Sequence, residues 1–220
     1  MALIYHKQTG NGGSFAIWKI EENAADLLKQ LQLKEHETSY LDSLAKSKRN
    51  LHWLSTRVLL RHMVNTTDYI DCQVDDSGKP YLTNFPHHIS LSHSFDYAAV
   101  MINPDHAVGI DIELISSKIE RIAHKFMSAH ELAFMDSENK IKHLYVCWCA
   151  KEAVYKLQGK KNVSFLDNIH LHSFKFDAAG GSVNCSLETA GLSRQFTVHY
   201  EELNGYMLGY VSDVGIETLM

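Results

Sequence analysis

Short runs of mostly apolar residues alternate with polar ones along the first half of the chain and predict strands. Four such runs stand out: LIYHK (3–7), SFAIWKI (14–20), HHISLSH (87–93) and YAAVMIN (97–103). Residues 21–33 and two stretches within 38–64 instead repeat apolar side chains at helical spacing. DSGKP (76–80) has the composition of a turn. The pattern therefore predicts two strands, then helices, then two more strands.

The second half repeats this plan after NPDHA (103–107), which marks a break. VGIDIE (108–113) reads as its first strand, and helices are predicted at about 128–138 and 143–158. Further strand candidates follow: IHLHSFKF (169–176), SVNCSLE (182–188), RQFTVHYEE (194–202) and YMLGYVS (206–212).

Two of the predicted helices resemble one another residue by residue. WLSTRVLLR (53–61) aligns with WCAKEAVYK (148–156), and each carries charged residues at the same two offsets, four apart. We interpret this as a weak internal duplication. It predicts an α+β fold of two similar α/β halves, residues 1–105 and 106–220, forming an intramolecular pseudo-dimer with the active site in the cleft between them.

Composition narrows the function classes. The 220 residues are 45% hydrophobic with a net charge of −5, so we expect no general affinity for nucleic acid or membrane surfaces. MALIYHKQTGNGG lacks the apolar core of a signal peptide, and no apolar run reaches the roughly 18 residues of a membrane span. Four cysteines without metal-ligand spacing are typical of reduced thiols, so a cytoplasmic location is expected.

VGIDIE places two carboxylates in an otherwise apolar segment. Side chains alternate along a strand, so Asp111 and Glu113 should share one face and the isoleucines the other. Two like charges this close repel unless a cation lies between them. Hard carboxylate oxygens favour Mg²⁺ as that cation. The alternative is an exposed edge strand whose acidic residues face water.

The helix predicted over 143–158 carries a further charged pair, Glu152 and Lys156. A Glu–Lys pair four residues apart usually lies on an exposed helix face. This pair instead lies among aromatic and apolar residues, where charged groups need partners. Glu152 is therefore a candidate third carboxylate beside Asp111 and Glu113, and Lys156 is a candidate phosphate ligand.

Arg57 and Arg61 are also four apart, with Arg49 upstream. Like charges at this spacing repel, but an anionic ligand would turn them into a clamp because guanidinium matches phosphate geometry. The alternative is that both arginines extend outward into solvent. GKP and SLSHS contribute further candidate phosphate or nucleotide contacts: Lys79, Ser92 and His93.

Familiar nucleotide and hydrolase motifs are missing. The sequence contains no P-loop, no Rossmann glycine pattern and no GxSxG elbow. HH (87–88) and HLH (170–172) have neither a helical HExxH nor a cysteine pair beside them, so no zinc site is predicted.

GKPYL, ISLSHS, AVGIDIE and WCAKEAVYK, in this order over residues 78–156, resemble the motifs of the 4′-phosphopantetheinyl transferase superfamily. Their spacing is similar to that of its long, pseudo-dimeric branch, the surfactin-synthetase-activating type. KFMSAHEL (125–132) also resembles the motif that this family carries between the last two. VGIDIE paired with WxxKExxxK is the most specific part of the resemblance.

The resemblance implies an enzyme that moves the phosphopantetheine arm of coenzyme A onto a serine of an apo carrier protein and releases 3′,5′-ADP. It implies Mg²⁺ held by Asp111, Glu113 and Glu152, with Asp111, Glu152 and Lys156 as the catalytic residues. Lys156 would stabilise charge on the leaving phosphate. Glu152, or a carboxylate acting through a metal-bound water, would take the serine proton.

The resemblance also implies a coenzyme A site. Its members are Gly78, Lys79, Pro80, Ser92, His93, Lys151 and Lys156. Arg57 is expected to bind the ribose 3′-phosphate, with Arg49 or His52 sharing the task, because some members carry an arginine where this chain has His52. Residues 159–161, Gly-Lys-Lys, depart from the glycine–lysine–glycine loop that often follows the last motif, which leaves the phosphate contacts there open.

Two other functions stay open at this stage. One is a catalytically idle relative that binds coenzyme A or a partner protein for regulation, which the retained Glu152 and Lys156 disfavour. The other is a different Mg²⁺-dependent nucleotide enzyme, for which no phosphate loop exists. The expected partners are coenzyme A and an acyl, peptidyl or aryl carrier protein, with no nucleic acid and no membrane. A monomer is expected, because an internal repeat already supplies both faces of the cleft.

Overall fold

The structure is a computed structural model that describes residues 2–44, 48–189, 191–213 and 217–218. Its strands are β1 (Ala2–Gln8), β2 (Ser14–Lys19), β3 (Cys72–Val74), β4 (Pro80–Leu82), β5 (His88–Ser94), β6 (Tyr97–Asn103), β7 (Val108–Leu114), β8 (Ile169–Leu171), β9 (Gly181–Thr189), β10 (Leu192–Leu203), β11 (Tyr206–Ser212) and β12 (Glu217–Thr218). Its helices are α1 (Ala24–Leu28), α2 (Glu35–Ser43), α3 (Lys48–Val64), α4 (Ile119–Ile122), α5 (Ala129–Ala133) and α6 (Lys140–Gln158). A 3-10 turn spans Ala123–Lys125.

The first sheet has four strands in the order β1-β2-β6-β5 and carries α3 on one face. Alternation along β6 sends Ala98, Val100 and Ile102 toward α3, where they meet Leu54 and Leu59 in one buried cluster. Every residue of β6 is buried, which explains its continuous apolar sequence, YAAVMIN, because both faces of this strand are covered.

The second sheet follows the order β7-β11-β10-β9-β8, with β12 paired to β10. α6 packs across β7, β11 and β10. Its apolar residues form the largest buried cluster of the described chain together with inward side chains of the second sheet, such as Val183, Val198 and Met207. The mixed α+β class predicted from the sequence is confirmed.

The two sheets share a connectivity around their main helices. In the first, β2 leads to α3 and then to the β5–β6 hairpin, whose second strand pairs antiparallel with β2. In the second, β7 leads to α6 and then to the β10–β11 hairpin, whose second strand pairs antiparallel with β7. The helices that begin their motifs at Trp53 and Trp148 therefore occupy corresponding positions in the two units.

The sheets pack on one another through a third apolar cluster. Phe15, Ile17 and Met101 from the first sheet contact the inward side chains of β7 and β11, including Ile110 and Leu208. This packing brings β5, an edge strand of the first sheet, beside β7, an edge strand of the second. The candidate site lies at this junction.

Several predicted elements are shorter than the pattern suggested. The helix predicted over 21–33 is α1 alone, which begins after Asn23, whose side chain caps the amide of Asp26. The helix predicted at 128–138 is α5, which begins with a Ser128–Glu131 capping box. The strand predicted over 169–176 is confined to β8. Phe174 and Phe176 pack against the apolar cluster between α6 and the second sheet instead of continuing the strand pairing.

The β3–β4 hairpin was not predicted as strands, although the turn between them was. These strands are three residues each and half exposed, so they carry little apolar periodicity. Within the described parts of the chain, no helix combines the length and the apolar character that crossing a bilayer requires.

Candidate active site

Two glycines bring α6 unusually close to the second sheet. A Cβ atom on Gly109 of β7 would lie 1.9 Å from the carbonyl oxygen of Ala153, and one on Gly209 of β11 would lie 2.8 Å from the backbone of Cys149. Only glycine permits this approach. As a result, the helix residues that follow Ala150 lie directly over the polar face of β7.

Asp111 is the centre of the polar contacts at this junction. It is 4% exposed, and its Oδ1 accepts hydrogen bonds from Lys156 (2.7 Å) and Ser92 (2.8 Å). Ile110 and Ile112 point into the apolar cluster between the sheets instead. The predicted alternation is therefore confirmed, and the alternative in which these acidic residues face water is wrong for Asp111.

Burial and the negative charge of Asp111 raise the pKa values of the other two predicted carboxylates, Glu113 and Glu152. The pKa of Glu113 is raised by burial and by the Asp111 carboxylate, against a hydrogen bond from Ser94 at 2.8 Å. The pKa of Glu152 is raised to about 7 by burial, then by Asp111 and further by Glu113, with Lys156 opposing. Three carboxylates thus repel one another in a partly desolvated space.

Lys156 supplies the positive charge within this group. Its Nζ donates to Ser92 (3.0 Å), to the carbonyl oxygen of Ile110 (3.1 Å) and to Asp111. Burial disfavours its charged form, but the adjacent Asp111 outweighs burial, and the pKa of Lys156 lies above its ordinary value. The side chain keeps 26% of its surface exposed, so it is only partly sealed from solvent.

The donor set at this junction fits a hard divalent cation. Oδ2 of Asp111 is buried and has no hydrogen-bond partner among the described residues, which is costly unless something positive binds there. Within the described residues, no group of three or more His, Cys, Asp or Glu side chains lies close enough together to hold a metal ion. Mg²⁺ needs only one or two protein carboxylates, since water and phosphate oxygens complete its shell.

Glu152 makes the stability of the metal-free protein depend on pH. Because its folded pKa of about 7 exceeds its ordinary value of 4.5, the unfolded chain releases this proton first as the pH rises, and stability falls between these values. We expect the wild type to lose roughly 2 kcal/mol more than Glu152→Gln between pH 5 and pH 8. Urea denaturation without divalent cations measures this difference. Parallel pH profiles for the two proteins would contradict the assignment.

A cavity of about 880 Å³ opens beside this junction, between α2, α3, β5 and the β3–β4 hairpin. Its size is that of a site for a small organic ligand. Five of the predicted coenzyme A contacts line it: Arg49, Arg57, Gly78, Pro80 and His93. The cavity and the carboxylates meet at β5, since His93 faces the cavity while Ser92 contacts Asp111.

The two arginines predicted as a clamp have different surroundings. Arg57 lies in the cavity with its guanidinium 4.7 Å from the ring centroid of Trp53, and its Nε is buried without a hydrogen-bond partner among the described residues. Arg61 instead donates to the carbonyl oxygens of Thr67 and Asp68. Arg57 therefore lies on the cavity wall, with one terminal nitrogen donating to the hydroxyl of Thr56 at 3.3 Å, whereas Arg61 stabilises a loop.

His93 forms a stacked pair with His52 of α3, with ring centroids 4.2 Å apart. Burial, then the neighbouring His52 and Lys156, lower the pKa of His93 to about 4, so its ring is neutral at physiological pH. Nε2 of His52 lies 2.7 Å from the carbonyl oxygen of Phe95. His52 therefore packs against His93, which lines the cavity.

Lys79 does not line the cavity formed by its neighbours. Its Nζ donates to the carbonyl oxygen of Leu157 at the end of α6, where a cation also complements the helix dipole. Burial lowers the pKa of Lys79. Gly159, which ends α6 in a left-handed conformation (φ +62°), leaves the space that this side chain fills. The lysine fastens the β3–β4 hairpin to α6.

The predicted phosphate contact of Lys151 is not supported by this arrangement. Its side chain is fully buried, and its Nζ contacts Glu131 (2.8 Å), the carbonyl oxygen of Phe126 (2.7 Å) and that of Phe165 (2.8 Å). Because none of this side chain is exposed, its ammonium has no surface that a ligand could contact. Adjacent helix residues differ by 100° in direction, so Lys151 and Glu152 point to different sides.

Ser94 was overlooked in the sequence. It follows Ser92 at the strand period of two, so it shares the face that meets β7, and this alternation was the signal that could have identified it. Its hydroxyl donates to Glu113.

Comparison with known proteins identifies the segment that carries most of this chemistry. Residues 107–211 match the family model described as the 4′-phosphopantetheinyl transferase superfamily, and they contain Asp111, Glu113, Glu152 and Lys156. This segment, a little under half of the chain, is similar to that superfamily. The match begins just before β7 and ends within β11, so the cavity residues of the first sheet lie outside it.

Individual transferases of this superfamily are similar over shorter parts of the chain. The 4′-phosphopantetheinyl transferase psf-1 of Bacillus pumilus is 35% identical over 112 residues, covering 47% of this chain and 48% of that protein. The transferase gsp of Aneurinibacillus migulanus is 33% identical over 89 residues, covering 39% and 37%. AcpT of Escherichia coli (strain K12) is 31% identical over 117 residues, covering 50% and 59%. This chain thus spans 37–59% of the length of these curated relatives.

Proposed function

We propose that this protein transfers the 4′-phosphopantetheine arm of coenzyme A to a serine of an apo carrier protein and releases 3′,5′-ADP. The observation that carries the proposal is the meeting of Asp111, Glu113, Glu152 and Lys156 at the sheet junction, inside the segment matched to the superfamily. The adjoining cavity, with Arg57 on its wall, supplies room for the nucleotide end of coenzyme A.

Asp111, Glu113 and Glu152 would hold one Mg²⁺. The excess of negative charge at this junction supports the proposal, because three mutually repelling carboxylates lie near a single ammonium. In addition, Oδ2 of Asp111 has no hydrogen-bond partner among the described residues. When bound there, the ion neutralises the diphosphate and favours phosphoryl transfer.

Glu152 and Lys156 have different roles in the proposed reaction: one accepts a proton and the other stabilises negative charge. In the transfer, the carrier serine Oγ forms a bond to the phosphorus that bears pantetheine, and the bond from that phosphorus to the oxygen bridging the diphosphate breaks. Glu152 would accept the serine proton. The ammonium of Lys156 stabilises the negative charge that the departing 3′,5′-ADP takes away.

Arg57 would bind the ribose 3′-phosphate, with Arg49 at the cavity rim. His93 would contribute a neutral ring to the coenzyme site, and Gly78 and Pro80 a backbone wall. Lys79 and Lys151 support the site from outside through their carbonyl and carboxylate partners.

Arg57→Ala should weaken coenzyme A binding by roughly ten- to a hundredfold, because a hydrogen-bonded charge pair is lost. The effect should nearly vanish for 3′-dephospho-coenzyme A. Arg61→Ala is the matched control, since Arg61 bonds loop carbonyls away from the cavity. Isothermal titration calorimetry with both ligands decides the assignment, and equal losses for the two would refute it.

Mass spectrometry of apo carrier proteins tests the proposed reaction. The protein is incubated with coenzyme A, Mg²⁺ and acyl, peptidyl and aryl carriers, and we expect one carrier to gain the mass of phosphopantetheine. A reaction without this protein and one with a chelator serve as controls. If no carrier gains mass while coenzyme A still binds, the chain is instead an idle relative with a regulatory role.

The two strand–helix–hairpin units would act as the halves of a pseudo-dimer, residues 1–105 on the coenzyme A side and 106–220 carrying the carboxylates. Their shared connectivity and the corresponding placement of α3 and α6 support this reading. A monomer follows from it, because both walls of the cleft come from one chain.

A further inference from the structure

Three serines at alternate positions of β5 face β7 across the junction of the sheets. Ser90, Ser92 and Ser94 are 2%, 6% and 8% exposed. They share the face of their β6 partners Met101, Ala99 and Tyr97, which pack against the second sheet. We refer to these three residues as the serine seam.

Each hydroxyl of the seam accepts a hydrogen bond from a backbone N–H of β7. The donors are Ile110 to Ser90 (3.0 Å), Ile112 to Ser92 (3.2 Å) and Leu114 to Ser94 (3.2 Å). β5 and β7 are edge strands of different sheets, and edge strands present rows of unpaired backbone groups. The hydroxyls therefore satisfy β7 amides where a neighbouring strand's carbonyls would otherwise do so.

Two members of the seam also hold the carboxylates of the site. Ser92 donates to Oδ1 of Asp111 and Ser94 to Oε2 of Glu113, each at 2.8 Å. A hydroxyl has one proton to donate and can accept at the same time. The Oγ atom of each serine accepts a hydrogen bond from a β7 amide. The hydroxyl proton is donated to the carboxylate of the β7 residue that precedes this amide.

Ser90 lacks this second role for a structural reason. The β7 residue in the corresponding position is Gly109, which has no side chain, and a Cβ there would collide with the carbonyl of Ala153. Ser90 therefore binds the β7 backbone at a position without a carboxylate. Ser90 is therefore an internal control, because it bonds the two sheets together without orienting a carboxylate.

We infer that Ser94 is a positioning residue for the transfer: its hydroxyl holds the Glu113 carboxylate toward Asp111. Because Ser94 and Glu113 belong to different sheets, the orientation of this carboxylate then depends on the distance between the sheets. This role rests on the proposed function, in which Glu113 binds the metal. Desolvation and the repulsion from a neighbouring carboxylate both favour rotation of a half-buried carboxylate toward water. The bond from Ser94 prevents that rotation, and such supporting contacts of metal ligands affect affinity and rate.

The test compares Ser94→Ala with Ser90→Ala. Both substitutions remove one bond to a β7 amide, so both should lower the thermal midpoint by similar amounts. Only Ser94→Ala should reduce kcat/KM for carrier modification, by roughly tenfold or more, and raise the Mg²⁺ concentration for half-maximal rate. Ser90→Ala should stay within about threefold of the wild type, and Ser94→Thr, which keeps the hydroxyl, should recover most of the loss. Equal kinetic losses in both alanine variants would overturn the inference.

Crystal structures of the two variants without metal give a readout that does not depend on activity. In Ser90→Ala the Glu113 carboxylate should keep its position, and in Ser94→Ala it should turn away from Asp111. An unmoved carboxylate in Ser94→Ala would also overturn the inference. If the wild type modifies no carrier, the proposed function fails on that result, while the position of Glu113 still decides the role of Ser94.

Discussion

Glu152→Gln should lower the rate of carrier modification by roughly a thousandfold while leaving the protein folded. The substitution keeps the shape of the side chain but removes both a proton acceptor and a negative charge from the cluster around Asp111. Since Glu152 is repelled by Asp111 and Glu113, its removal should stabilise the metal-free protein above pH 7. The measurement is single-turnover transfer followed by mass spectrometry, with urea denaturation in parallel.

A matched control for this variant lies on the same helix. Gln158 and Lys142 are polar α6 residues outside the carboxylate cluster, and Lys142→Gln should keep wild-type rates. A rate within tenfold of the wild type would show that this carboxylate has no chemical role, and loss of folding would contradict the predicted gain in stability.

Lys156→Met should reduce transfer by roughly a hundredfold or more, because in the proposed reaction it removes the ammonium that would stabilise the leaving phosphate. It also leaves the buried Asp111 without its 2.7 Å partner, so we expect a loss of about 3 kcal/mol in folding free energy. Activity is therefore measured at a temperature where the variant is fully folded, and added Mg²⁺ should restore part of the stability.

Lys151→Met gives the opposite pattern and distinguishes the two lysines. Lys151 is sealed against Glu131, which also accepts from the amides of Ser128 and Leu171. Removing the lysine leaves a buried carboxylate unpaired, at a cost of about 3–5 kcal/mol. The variant should unfold at lower temperature, yet its folded fraction should transfer at nearly the wild-type rate. A selective rate loss with normal stability would return Lys151 to the phosphate site.

Local rules of side-chain direction were sufficient for much of the site. Strand alternation placed Asp111 and Glu113 on one face, and helical spacing placed Glu152 and Lys156 on one side of α6. The resemblance of the motifs to a known superfamily then connected the two segments, and the match over 107–211 agrees with that connection.

The remaining contacts depend on how separate elements pack, which local pattern does not encode. Lys151 lies in the same motif as Glu152, but only the positions of α5 and β8 reveal that its charge is consumed by Glu131. Lys79 likewise meets the end of α6, more than 70 residues away in sequence. The serine seam exists because two edge strands of different sheets lie side by side, and no single-strand pattern predicts that meeting.

The short helices also show the limit of periodicity. α5 ends after Ala133 although apolar residues continue, because the following loop turns to place the amide of Asp136 on Nδ1 of His143. That contact belongs to α6, so the helix end is set by tertiary structure.

Anomalous diffraction from crystals soaked with Mn²⁺ and coenzyme A measures the metal site directly. The account predicts one peak at the junction of the sheets, about 2.0–2.2 Å from carboxylate oxygens of Asp111, Glu113 and Glu152. A peak bound elsewhere, or one that touches none or only one of these three side chains, would contradict it.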